Sequence, residues 1–177
     1  MQIRERDMRA RELLSFAKAA ISVREGYARI LVNDRLDVAL AAGAAGVHLG
    51  GASVPAREVV RWVRKGNAPA EFLVGVSCHS LEEARAAEDA GASYVFFGPI
   101  FETPSKKSFG LPQGIAKLAE ICSAIRIPVI AIGGVNEENA TECMRAGAAG
   151  IAAIRMFQEM RETETLKRAV AKLHGGE

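Results

Sequence analysis

Cysteine is scarce, with only Cys78, Cys122 and Cys143 in 177 residues. Their number is odd and their spacing is not that of metal ligands, which argues for reduced packing residues over a disulfide framework or a zinc site. A long hydrophobic run is also missing. The longest uncharged apolar stretch, residues 38–49, is broken by glycine and a histidine and falls well short of the roughly 20 residues of a membrane span. No basic segment leading into an apolar one opens the chain, so a cytoplasmic location with no membrane partner is expected. Charge of one sign is in short supply too, the net value being +2. Basic residues alternate with acidic ones, and only Phe101 and Phe109 lie near the basic pair Lys106-Lys107, so nucleic acid is not an expected partner.

What remains is ordinary globular composition, 49% apolar and 25% charged, in a length suited to one domain spanning residues 1–177. Short β-branched runs alternate with segments of helical period, the pattern of parallel βα units. The expected strands are Met1–Arg4, Ala28–Asn33, Gly46–Leu49, Leu73–Cys78, Tyr94–Ile100, Pro128–Ile132 and Gly150–Met156. Helices are expected near Met8–Arg24, Leu36–Ala42, Ala56–Lys65, Leu81–Ala90, Gly114–Ile125, Glu137–Ala146 and Glu164–Leu173. Ser80 and Asn136 stand before acidic first turns and read as helix N-caps. Ala-Gly-Ala recurs at residues 42–44, 90–92 and 146–148, each time between a helix and a strand, where a glycine in the left-handed conformation stops the helix. Polar or glycine signals follow six of the seven expected strands. An open sheet concentrates its ligand at one switch point, whereas a barrel draws on many strand ends, so an α/β fold of the TIM-type (β/α)8 barrel class is expected, with about seven βα units in this chain.

The same strand ends carry the candidate chemistry. Gly133-Gly134 follows an apolar strand, and two residues without side chains let backbone N–H groups approach a phosphate; a tight turn with no ligand is the plain alternative. The Gly98–Gly114 connection holds Thr103, Ser105, Lys106 and Lys107, an inventory for clasping a phosphate or equally for a solvated loop. Asp34 is a candidate ligand for a divalent cation or, as readily, an N-cap for the next helix. Ser77 and His79 end another strand, and His79 is a candidate general acid/base, though a locally bonded helix-starting histidine is the commoner case. Gln2, Arg4 and Arg6 alternate along the first strand and are expected on one face. His48, inside a strand, reads as a packed residue.

Taken in order, the stretches 2–6, 33–40, 46–50, 75–80, 98–101 with Thr103 and Lys106, 131–134 and 150–152 resemble the thiamine phosphate synthase/TenI family. The resemblance implies a thiazole phosphate, or a thiazole carboxylate phosphate, as ligand. In the synthase branch it implies a pyrimidine diphosphate as second substrate, with Mg²⁺ accompanying the departing diphosphate. Carried over by position, Gln2, Arg4 and Asn33 would hold the pyrimidine diphosphate, Asp34 the metal, and Ser77 and Lys106 the diphosphate, while Thr103, Ser105 and the Gly133-Gly134 amides would hold the thiazole phosphate. Three positions depart from the synthase pattern. Ser53 replaces a second metal carboxylate, which weakens Mg²⁺ binding because hard cations depend on ligand charge; Arg6 replaces a lysine, and Arg155 a serine. These departures favour a TenI-like thiazole tautomerase as the leading expectation, with His79 or Glu102 supplying proton transfer, since the TenI histidine position carries Pro99. The synthase and a non-catalytic thiazole phosphate-binding regulator are the alternatives. The match begins at what corresponds to the family's second strand, so about 30 residues, one βα unit, are expected upstream of an N-terminally incomplete barrel domain. A barrel left open there would have unpaired edges and pair into a homo-oligomer.

Overall fold

The computed structural model describes residues 1–24, 26, 28–102 and 111–159. Seven strands alternate with helices: β1 (Gln2–Ile3), α1 (Ala10–Ser22), β2 (Leu31–Asn33), α2 (Leu36–Ala42), β3 (Gly46–Leu49), α3 (Ala56–Trp62), β4 (Leu73–Cys78), α4 (Leu81–Ala90), β5 (Tyr94–Phe97), α5 (Gly114–Ala124), β6 (Val129–Ile132), α6 (Ala140–Arg145), β7 (Gly150–Ala152) and α7 (Arg155–Glu159). The chain divides into two compact units, Met1–Cys78 with Ala86–Val95, and His79–Arg85 with residues from Phe96 onward.

In the first unit β1, β2, β3 and β4 pair in parallel, with Asn33 opposite His48 and His48 opposite Gly75. Side chains alternate between faces along each strand. One face carries Ile3, Val32, Val47 and Val74, which are buried with Leu13 and Ala17 of α1, Val38 and Ala39 of α2, and Val59 and Val60 of α3. Each buried valine, leucine or isoleucine among them contributes roughly 1.5–3 kcal/mol. The helices supply their partners at i, i+4 or adjacent positions, as an amphipathic face requires. Gln2, Asn33, His48, Gly75 and Ser77 fall on the other face by the same alternation and register.

The second unit buries Phe97, Ile100, Leu118, Ile121, Val129, Ala131 and Cys143. There β6 and β7 pair in parallel, Ala131 opposite Ile151.

Several element bounds differ from the sequence expectation, each for a local reason. The first strand ends at Ile3, so strand alternation does not extend to Arg4 and Arg6, which are exposed beyond it. The fifth ends at Phe97, before the cis Gly98-Pro99 bond. Proline has no N–H to continue a ladder, yet Ile100 and Phe101 resume bonding to the carbonyls of Ile132 and Gly133 at 3.0 and 2.9 Å. The seventh strand stops at Ala152, and Met156, expected in it, is buried as part of α7; a short apolar run does not by itself distinguish strand from helix. Helix α3 ends at Trp62 and passes into a wider turn over Val63–Asn67, where Gly66 has φ +85° and the Asn67 side chain donates to the Trp62 carbonyl at 2.8 Å. Regular helix α6 starts at Ala140 rather than Glu137 because the Asn136 Oδ1 accepts the N–H groups of Glu138 and Asn139 and forms a separate turn. The expected helix at 164–173 lies outside the described residues.

Other local readings hold. Gly43, Gly91 and Gly147 all have positive φ at the ends of helices. Ser80 Oγ accepts the Glu83 N–H at 3.1 Å while the Glu83 carboxylate accepts the His79 N–H, a reciprocal cap at the start of α4. Among the described residues no helix is long and apolar enough to cross a membrane. Ser80→Ala is expected to cost about 1 kcal/mol of stability, read as a lower urea midpoint at unchanged slope; Ser80→Asp should restore most of it.

Candidate functional site

In the first unit the polar face of the strands is a hydrogen-bonded row. Gln2 Nε2 donates to Asn33 Oδ1 at 2.9 Å. His48, 1% exposed, places Nε2 2.9 Å from Ser77 Oγ and Nδ1 3.0 Å from the Tyr94 hydroxyl. Burial, aided by the positive charge of Arg4, lowers the His48 pKa from 6.5 to about 4. Burial also raises that of the Tyr94 phenol. His48, read from the sequence as mere packing, is thus the polar centre of this face. The feature that would single it out is its register between two polar strand ends, Asn33 and Gly75-Val76-Ser77, which only strand pairing reveals.

Asp34 follows β2 with φ +64°, a left-handed conformation that Asp tolerates better than most residues. Its N–H donates to the His48 carbonyl at 2.8 Å. The helix that follows has Arg35 at its N-cap and no side-chain cap bond, so Asp34 does not serve as the cap that the sequence offered as its other role. Arg35 pairs instead with Asp37 at 2.6 Å, and Asp34 stays exposed. Ser53 closes its own turn: its Oγ accepts the Gly50 N–H at 2.8 Å and its N–H donates to the Gly50 carbonyl at 3.0 Å. Among the described residues no three His, Cys, Asp or Glu side chains gather as a metal cage. The donor set at Asp34 is one carboxylate. It fits Mg²⁺ shared with phosphate oxygens of a ligand, the usual arrangement for that ion, and not a dedicated protein site.

In the second unit Gly133 and Gly134 have φ +94° and +69°. A Cβ on Gly133 would lie 2.6 Å from Pro99, and one on Gly134 2.6 Å from the Glu102 carbonyl oxygen, so the 98–102 segment packs directly on this turn. The Gly134 carbonyl accepts from the Asn139 side chain at 3.0 Å. His79 is exposed, with its Nδ1 bonded to the Gly98 carbonyl at 2.5 Å. A carbonyl only accepts, which puts a proton on Nδ1. Glu102 is exposed as well, and no hydrogen bond joins it to His79. The structure therefore brings Gln2 to Asn33 and His48 to Ser77, while His79 and Glu102, the alternative candidates for proton transfer, are both exposed. Thr103, Ser105 and Lys106 lie outside the described residues.

The His48 environment fixes a pH dependence. Below its unfolded value of 6.5 the unfolded chain binds a proton that the folded one refuses until about pH 4. Stability should therefore fall as pH drops through that window, by up to about 3 kcal/mol. Urea unfolding of the wild type and of His48→Asn from pH 7.5 to 4.5 checks this; the variant should show the smaller decline.

Three comparisons place this geometry among known proteins. The family described as thiamine monophosphate synthase matches residues 1–157. A protein of Geobacter sulfurreducens is 46% identical over 155 residues, covering 87% of this chain and 70% of its own. The thiamine-phosphate synthase of Roseiflexus sp. is 40% identical over 171 residues, covering 96% and 70% respectively. Among solved structures, thiamine phosphate pyrophosphorylase from Pyrococcus furiosus superposes with a TM-score of 0.82 at 35% identity, covering 97% of this chain and 80% of that one. That likeness bears out the α/β fold of TIM-barrel type, here as seven βα units. On the family match and these relatives, the chain belongs to the thiamine monophosphate synthase family.

Proposed function

We propose that this chain is a thiamine phosphate synthase, joining hydroxymethylpyrimidine diphosphate to thiazole phosphate with release of diphosphate. The observation that carries the reading is the naming of relatives 40–42% identical over most of the chain as thiamine-phosphate synthases. The site supports it over the tautomerase that the departures at Ser53 and Arg6 had favoured. Proton transfer would call on His79 or Glu102, both exposed and the former bonded to the Gly98 carbonyl, whereas the synthase needs cations and donors at a leaving group and little proton chemistry.

The roles are those the family resemblance implies, set beside the surroundings of the described residues. Gln2 and Asn33, bonded to each other on the polar face, orient the pyrimidine end of the diphosphate substrate. Asp34 holds Mg²⁺ jointly with diphosphate oxygens; once bound, the ion neutralises charge on the departing diphosphate. Ser77, Arg4 and Lys106 donate to the diphosphate. Thr103, Ser105 and the Gly133-Gly134 amides take the thiazole phosphate, the two glycines turning the backbone at positive φ and bringing no side chain of their own. As the carbon–oxygen bond to diphosphate breaks, a bond to the thiazole forms, and the electron pair leaves with diphosphate. Ser53, engaged with Gly50, adds no second carboxylate, so the metal is bound weakly in the absence of substrate.

Asp34→Asn should lower Mg²⁺-dependent thiamine phosphate formation by about two orders of magnitude, and Ser53→Asp should lower the Mg²⁺ concentration for half-maximal rate. Product formation indifferent to Asp34→Asn would contradict the metal assignment. Isomerisation of thiazole carboxylate phosphate without synthase activity would restore the tautomerase reading.

A further inference from the structure

His48 is the buried polar side chain that the proposed chemistry leaves without a task. Its position is built from several directions. Register sets it opposite Gly75, and any side chain at Gly75 would collide with the Tyr94 ring. The glycine thus makes the space in which the phenol lies beside the imidazole, their ring centres 5.6 Å apart. Two residues beyond Gly75, on the same face, Ser77 brings its hydroxyl to the other ring nitrogen at 2.9 Å. Gly75-Val76-Ser77 is accordingly one device: the glycine admits Tyr94, and the serine receives what Tyr94 sets up.

The imidazole is sealed from water with a neutral hydroxyl at each ring nitrogen, surroundings that suit its neutral form. A neutral imidazole has one N–H and one bare nitrogen, so it donates to one of these two hydroxyls and accepts from the other. Of the two, the phenol is the more acidic and therefore the better donor, whereas the aliphatic serine hydroxyl is the better acceptor. We infer that Tyr94 donates to His48 Nδ1, that His48 Nε2–H in turn donates to Ser77 Oγ, and that this relay turns the Ser77 proton outward as a hydrogen-bond donor to an anionic ligand. The opposite arrangement would spend the serine proton on the ring and present only lone pairs to the ligand, which repel an anion. His48 and Tyr94 act through Ser77 and are positioning residues. The ligand half of the inference rests on the proposed synthase reading, in which Ser77 meets diphosphate; the tautomer half does not.

The experiment has two arms. In the first, protein labelled with ¹⁵N in histidine is examined by long-range proton–nitrogen correlation near neutral pH, with the His48 signals assigned by their loss in His48→Asn. The wild-type ring should be neutral, with Nε2 protonated and Nδ1 bare; Tyr94→Phe should release this tautomer and move both nitrogen signals. A wild-type ring protonated on Nδ1 overturns the relay, whatever the protein binds. In the second arm, titration calorimetry follows inorganic diphosphate with Mg²⁺. Ser77→Ala and Tyr94→Phe should each weaken binding about tenfold, and the double variant should bind no more weakly than Ser77→Ala alone. Additive losses overturn the coupling. An Nε2-protonated ring together with diphosphate binding unaffected by Ser77→Ala leaves the relay standing and overturns the placement of diphosphate at Ser77, and with it that part of the synthase reading. Thermal melting of each variant confirms that losses are not those of unfolding.

Discussion

A histidine sealed from water must have both ring nitrogens accounted for, and the polar face of the first unit is arranged around that demand at His48. The Tyr94 hydroxyl and Ser77 Oγ meet the two nitrogens. The backbone carbonyl of the same residue accepts the N–H of Asp34, which holds the candidate metal carboxylate in its left-handed conformation at the end of β2. One residue in β3 thus ties together three neighbouring strand ends. An unpaired polar group here would cost about 1–3 kcal/mol, which explains why Gly75 and Ser77 alternate on the facing strand: the first admits the phenol, the second completes the pair.

The second unit is governed by close approach instead of hydrogen-bonding demand. Gly133 and Gly134 lie so near Pro99 and Glu102 that a Cβ on either would overlap them. Gly98 is constrained in the same way, since a side chain there would strike the Ile132 carbonyl. Three glycines thereby fix the path of the chain on both sides of the turn. The turn then runs into Asn136 and Asn139, whose side chains accept N–H groups of the turn and, through Asn139, hold the Gly134 carbonyl.

Much of the fold was legible in the sequence because it depends on local rules. The Ala-Gly-Ala punctuation marked helix ends that the structure shows with positive φ at Gly43, Gly91 and Gly147, and the cap at Ser80 follows from its own spacing to Glu83. The ends of β5 and β7 were not legible, since a proline in one case and a short apolar run in the other read alike in strand and loop or helix. The site divides similarly. Asp34 and Gly133-Gly134 stood out as candidates by residue type at strand ends, and Asn33 by the family resemblance. His48 and Tyr94 did not, because their significance lies in a pairing 46 residues apart. Ser53 was visible as a departure, but only the structure shows its hydroxyl committed to Gly50.

The central claim is that these strand ends serve diphosphate departure and not isomerisation. The most direct test incubates the purified protein with hydroxymethylpyrimidine diphosphate and thiazole phosphate, with and without Mg²⁺, alongside a parallel incubation with thiazole carboxylate phosphate, and follows products by mass spectrometry. The account predicts thiamine phosphate and diphosphate in equal amounts, only when Mg²⁺ and both substrates are present, and no isomerisation of the carboxylate. Isomerisation with no thiamine phosphate formed would contradict it.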